Sequence, residues 1–86
     1  MSYQLALKGT AQKEFQQLPA RIREQVARQL EALQLEPRPP GCLPLSAQLR
    51  GQHRVRVGDY RIVYIIDEAA QRVGVTRIRH RSQVYK

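Results

Sequence analysis

The chain is 86 residues long, which confines it to a single domain, residues 1–86. A domain this small has little core to spare and relies on compact packing, a partner, or both. Hydrophobic residues make up 42% of the chain, and 15 Lys and Arg against 7 Asp and Glu give a net charge of +8, a balance that excludes collagen-like, mucin-like and broadly disordered classes. The lone cysteine, Cys42, excludes an internal disulfide and any multi-cysteine metal site. No apolar run approaches the roughly 18 residues of a membrane span. Met1 to Lys8 lacks the basic start and long apolar stretch of a secretion signal, so the expectation is a soluble cytoplasmic protein.

Tyr3, Leu5 and Leu7 alternate with Gln4, Ala6 and Lys8, which predicts a short first strand. Gly9 breaks it, and Thr10 is the expected N-cap of a helix whose stripe is Ala11, Phe15 and Leu18. Pro19 fits the first turn of a second helix, where its missing N–H is not needed. Ile22, Val26, Leu30 and Leu33 form that helix's apolar stripe, with Arg21, Arg23, Glu24, Arg28 and Glu31 on the other face. Pro37, Pro39 and Pro40 then stop the helix and make an extended connector, too short to separate domains.

The remainder reads as strands. His53 to Val57 alternates basic and apolar residues, Gly58-Asp59 has the pattern of a type II′ turn, and Tyr60 to Ile66 is the β-branched and aromatic return strand. A second turn, Asp67 to Gln71, leads into a last strand, Arg72 to His80, and a short tail, Arg81 to Lys86. The order β-α-α-β-β-β predicts an α+β fold: one small antiparallel β-sheet with an α-helical hairpin packed on one face.

The charge is unevenly spread. Residues 1–48 carry six basic and four acidic side chains, a net +2; residues 49–86 carry nine basic, eight of them Arg, and three acidic, a net +6. Such a field in half of a small domain favours a polyanionic partner, and the guanidinium fork suits phosphate. With Gly58-Asp59 as the turn, Val57 faces Tyr60 and Arg56 faces Arg61. Val55, Val57, Tyr60, Ile62, Tyr64 and Ile66 then share the face that meets the helices, while Arg54, Arg56 and Arg61 share the other. Directly opposed arginines repel, which makes sense if a polyanion sits across them. Splaying of the long side chains into water is the competing explanation. Arg77, Arg79 and Arg81 extend the basic field, but they have the same parity as Val73 and Val75. Either the last strand is bulged or that face is partly covered. His53 and His80 have no carboxylates at ligand spacing, so neither a metal nor another cofactor is expected.

Three stretches carry a family resemblance. The run LRGQHRVRVGDYRIVYIID, Leu49 to Asp67, resembles the central segment of the RelE/ParE toxin superfamily. The opening YQLALKGTAQKEFQQLPARIREQV resembles its first strand and helix pair, and RIRHRSQVY, Arg77 to Tyr85, is similar to the C-terminal motif of the RelE branch. The resemblance implies a RelE-like fold and a metal-independent endoribonuclease that cuts messenger RNA in the ribosomal A site and so inhibits translation. It also implies a cognate antitoxin, contact with ribosomal RNA, and no membrane or small-molecule cofactor. Carried over residue by residue, the implied catalytic set is Arg54, Arg56, Arg61, Arg79 and Tyr85, with Arg50, His53, Arg77, His80 and Arg81 as further RNA contacts.

Well-known RelE enzymes commonly have Lys at the positions of Arg54 and Arg56, and Arg effectively never loses its proton. A general-base role is therefore not carried over to those two. Arg54, Arg56 and Arg61 are expected to neutralise the phosphate, Arg79 to stabilise the leaving group, and Tyr85 to stack on the base. His80 is a candidate base by its intrinsic pKa. Two rival readings remain: a ParE-like DNA gyrase inhibitor of the same fold, and a non-catalytic RNA-binding module.

Overall fold

A computed structural model describes residues 2–39, 43–44 and 52–84. Strand β1 (Gln4–Leu7) runs into helix α1 (Gly9–Gln16), followed by α2 (Ala20–Leu35), a two-residue β2 (Leu43–Pro44), β3 (Gln52–Val57), β4 (Tyr60–Asp67), β5 (Arg72–His80) and a terminal turn of helix, α3 (Arg81–Val84). The strands form one sheet in the order β1-β5-β4-β3-β2.

The α+β class and the helix pair over one sheet face agree with expectation, but the sheet is mixed. β1 pairs with β5 in parallel, Gln4 beside Arg72 and Leu7 beside Val75, whereas the other pairings are antiparallel. A parallel pair needs a long crossover, and here everything between β1 and β5 supplies it.

Helix α1 also starts earlier than expected. Lys8, not Thr10, is its N-cap, in extended conformation and without a side-chain cap bond. The Lys8 N–H still belongs to the sheet, donating to the Val75 carbonyl, while the Lys8 carbonyl already accepts from Gln12 N–H. One residue thus ends the strand and opens the helix, and Thr10 falls inside the first turn. Pro19 caps α2 from outside, its carbonyl accepting from Arg23 N–H.

The core lies between the helices and one sheet face. Ala11 and Leu18 from the α1 side and Val26, Leu30 and Leu33 from α2 meet Val55, Val57, Ile62, Tyr64, Val73, Val75 and Ile78. Each large apolar side chain fully removed from water contributes about 1.5–3 kcal/mol. The largest, Tyr64, is wholly buried and donates its hydroxyl to the carbonyl of Pro37 at 2.7 Å. That bond satisfies both polar groups and pins the connector after α2 onto the sheet. A second tie joins the start of the chain to the β4–β5 turn: Glu68 accepts from the Tyr3 hydroxyl and from Arg38. These bonds hold the Glu68 carboxyl below its ordinary range, Arg38 contributing most, and push the Tyr3 phenol up.

Two local features set which way the strands face. Gly58 takes φ +58° in the hairpin turn, and Asp59 is not among the positive-φ residues, as a type II′ turn requires. In β5 the register slips: Tyr64 lies opposite Val75 but Val63 lies opposite Arg77, so Thr76 is an extra, unpaired residue. Its hydroxyl donates to the Val63 carbonyl at 3.2 Å. The bulge answers the parity conflict in the sequence. Val73, Val75 and Ile78 all face the core, and Arg77 and Arg79 turn to the opposite face.

Candidate nucleic-acid interface

The sheet face away from the helices carries two rows of side chains at the end bearing the β3–β4 turn. Arg56, Arg61 and Arg79 lie opposite one another on β3, β4 and β5, and Arg54, Val63 and Arg77 form the next row. Cross-strand partners sit about 4.5–5.5 Å apart at Cβ, so five arginine side chains arise from one small surface. Val63 is buried although it faces away from the core; the flanking arginine stems can lie along it.

The members of this field differ in environment. Arg56 is exposed, and Arg54 is half-buried. Arg61 is only 8% exposed, and its Nη1 donates to the carbonyls of Gly58 (3.2 Å) and Tyr60 (3.0 Å). It is not the open guanidinium that parity alone suggests. It shares the face with its neighbours but folds back to hold the hairpin turn. A carboxylate enters at the β5 side. β1 ends opposite Val75, which leaves the rest of β5 with an open edge, and Glu14 of α1 occupies it. Glu14 Oε1 accepts from Ile78 N–H at 2.8 Å, and Oε2 accepts from Arg77 Nη2 at 3.0 Å. The Arg77 Nε donates to the same carboxylate at 3.2 Å. These bonds raise the Arg77 pKa above its ordinary value. Arg79 Nε stands 3.8 Å from Glu14 Oε2, buried and without a hydrogen-bond partner.

The histidines lie elsewhere. His53 is half-buried on the helix-facing side, stacked on Tyr64 with ring centroids 5.7 Å apart. His80 is opposite Tyr60, the two rings meeting edge-on at 5.5 Å, and its Nδ1 is 3.0 Å from the Ser82 hydroxyl. A cleft of about 340 Å³ opens beside that ring pair, with Gln17 and Leu18 on one wall and Glu14 and Arg79 where it approaches the arginine field. Arg81 is exposed at the start of α3, and its N–H donates to the Asp59 carbonyl, tying the tail to the hairpin turn. Arg50 and Tyr85 lie outside the described residues, as does Cys42. Among the described residues no three of His, Cys, Asp and Glu gather as a metal site would need, and no helix is long and apolar enough to cross a membrane.

Sequence reasoning missed Glu14. The available signal was its position three residues after Ala11 and four before Leu18, which puts a carboxylate on the apolar stripe of α1.

A helix pair over one face of a small mixed sheet, with an arginine field on the other, is the build of a toxin from a type II toxin–antitoxin system. Residues 5–85 match the family model described as ParE toxin of type II toxin-antitoxin system, parDE, and the chain belongs to that family. Within it the similarity runs to proteins named RelE. Toxin RelE of Mycobacterium tuberculosis is 38% identical over 98% of this chain and 87% of its own. The toxin–antitoxin complex RelBE2 from the same organism contains a chain that superposes with a TM-score of 0.83 at 31% identity, covering 93% of this chain and 99% of that one. The isolated Escherichia coli RelE toxin gives 0.81 at 25% identity over 98% of this chain and 92% of its own. This chain is accordingly a RelE-type toxin.

Proposed function

We propose that this toxin is a metal-independent endoribonuclease that cuts messenger RNA in the A site of the ribosome. The observation that carries the reading is the arginine field: Arg54, Arg56, Arg61, Arg77 and Arg79 brought onto one sheet face by the hairpin register and the Thr76 bulge. Cleavage of RNA without a metal needs attack by the ribose 2′-OH, stabilisation of charge on the phosphate, and a proton for the leaving 5′-oxygen. Arginines serve the second need, and they are not metal ligands, which supports a metal-free mechanism.

In this scheme Arg54 and Arg56 grip the phosphate, and Arg61, braced on the turn, forms the floor between Arg56 and Arg79. Arg79, at the cleft end of the same row, steadies the leaving group, and Tyr85 stacks on a base. His80 faces away from the field and against Tyr60, so its placement does not support it as the general base. The strong positive charge docks the toxin on ribosomal RNA. Its partner is a cognate antitoxin, as its relative in the M. tuberculosis toxin–antitoxin complex has one, with an acidic or amphipathic segment covering the arginine face.

The test is a 5′-end map of a defined messenger RNA with and without programmed 70S ribosomes. Cuts inside the A-site codon that require ribosomes and vanish with Arg79→Ala are the expected result. The family model is named for ParE, which keeps gyrase inhibition as the second reading. Absence of cuts together with loss of gyrase supercoiling activity would select that reading instead.

A further inference from the structure

We propose that Glu14 is a positioning residue for the arginine field, acting through Arg77 and Arg79 and not on RNA itself; this rests on the nuclease reading above. Glu14 is the carboxylate that enters the field from α1. Its side chain is 20% exposed, and it is spent on protein groups: one oxygen takes the Ile78 N–H, and both take the Arg77 guanidinium. An acid next to a phosphate-binding surface costs affinity for a polyanion. Its presence there calls for a compensating role, and the geometry supplies one.

The Ile78 N–H belongs to the stretch of β5 that β1 no longer covers. By accepting from it, Glu14 fixes α1 against the strand end just beyond the bulge, where Arg77 and Arg79 flank Ile78. By gripping Arg77 through Nε and Nη2 it takes that guanidinium sideways, along the strand edge. Arg79 presents its own Nε towards the same oxygen at 3.8 Å, and its guanidinium makes no hydrogen bond among the described residues. The Nε side of Arg79 is therefore held towards a fixed negative charge, which leaves its terminal nitrogens to a phosphate. Arg77 is the anchored member and Arg79 the working one. A short closure, from 3.8 Å to hydrogen-bond distance, completes the contact when Arg79 takes its ligand.

The test compares wild type, Glu14→Gln, Glu14→Asp and Arg77→Ala in two readouts. In single-turnover cleavage on programmed ribosomes, Glu14→Gln should lower the maximal rate roughly 10- to 100-fold, the scale of a misplaced catalytic group, with less than about threefold change in half-saturating ribosome concentration. Glu14→Asp should restore part of the rate, and Arg77→Ala should lose less than Glu14→Gln. In the second readout, the Arg77 Nε–H proton resonance in nitrogen-15-labelled protein should lose its exchange protection in Glu14→Gln, and that of Arg79 should change its chemical shift. A mere charge brake predicts the reverse: tighter ribosome binding and an unchanged rate. A wild-type rate in Glu14→Gln, or a loss matched by the loss of folded protein in thermal unfolding, would overturn the proposal. If the wild type cuts nothing, the nuclease reading fails, and the arginine resonances still report whether Glu14 orders the field.

Discussion

Deleting Thr76 should leave the fold intact, although it removes a residue from an interior strand of the sheet. The register fixes this. Val75 is opposite Tyr64 and Arg77 is opposite Val63, so the residues on either side of Thr76 already face adjacent partners on β4. Without Thr76 the strand reads Val75 in, Arg77 out, Ile78 in, Arg79 out, an unbroken alternation. The cost is one hydrogen bond from the Thr76 hydroxyl, worth about 1 kcal/mol, offset in part by regular pairing. For a domain of this size that corresponds to a fall in Tm of about 4–8 °C. Deleting Ile78 makes the contrast, because Ile78 is 2% exposed. Its loss forfeits about 2–5 kcal/mol of core and moves an arginine into its slot, enough to abolish cooperative unfolding. Thermal and urea unfolding followed by circular dichroism, with the antitoxin absent, decide the matter. A Thr76 deletion that unfolds the protein as the Ile78 deletion does would refute the register argument and make the kink itself essential.

Three further outcomes follow from the same geometry. Arg56→Ala removes one of two opposed arginines, so stability should rise by about 0.2–1 kcal/mol, while ribosome binding weakens and its log–log salt slope falls by about one. Tyr64→Phe strands the buried Pro37 carbonyl and should cost about 1–3 kcal/mol in urea unfolding. Glu68, whose folded pKa lies below its ordinary value of 4.5, contributes stability above that value and loses it as pH falls through the folded pKa; Glu68→Gln should flatten the acid limb of an unfolding-versus-pH curve.

Much of the fold can be read from periodicity, because local patterns record which side of an element is wet. The α2 stripe and the β3–β4 hairpin with its register are set by spacing and by the Gly58-Asp59 pair. Partner choice is not local, so the parallel docking of β1 against β5 leaves no trace in either strand's own sequence. The bulge is an intermediate case: the shared parity of Val73, Val75, Arg77 and Arg79 announces a conflict, but only the backbone shows that Thr76 absorbs it. The arginine field was legible as composition and alternation. The inward fold of Arg61 and the hold of Glu14 on Arg77 depend on what fills the space above each strand, which one-dimensional patterns do not carry.

The parallel pair has a consequence for when the toxin becomes active. Gln4 is made long before its partner Arg72. β5 follows the other described strands in chain order, yet it stands between β1 and β4. Until it emerges, β1 has no neighbour and the core lacks Val73, Val75 and Ile78. Contacts this distant in sequence form slowly, and domains organise as units during synthesis. The core therefore cannot close until β5 has left the ribosome, an interval in which an antitoxin already present can meet the chain first.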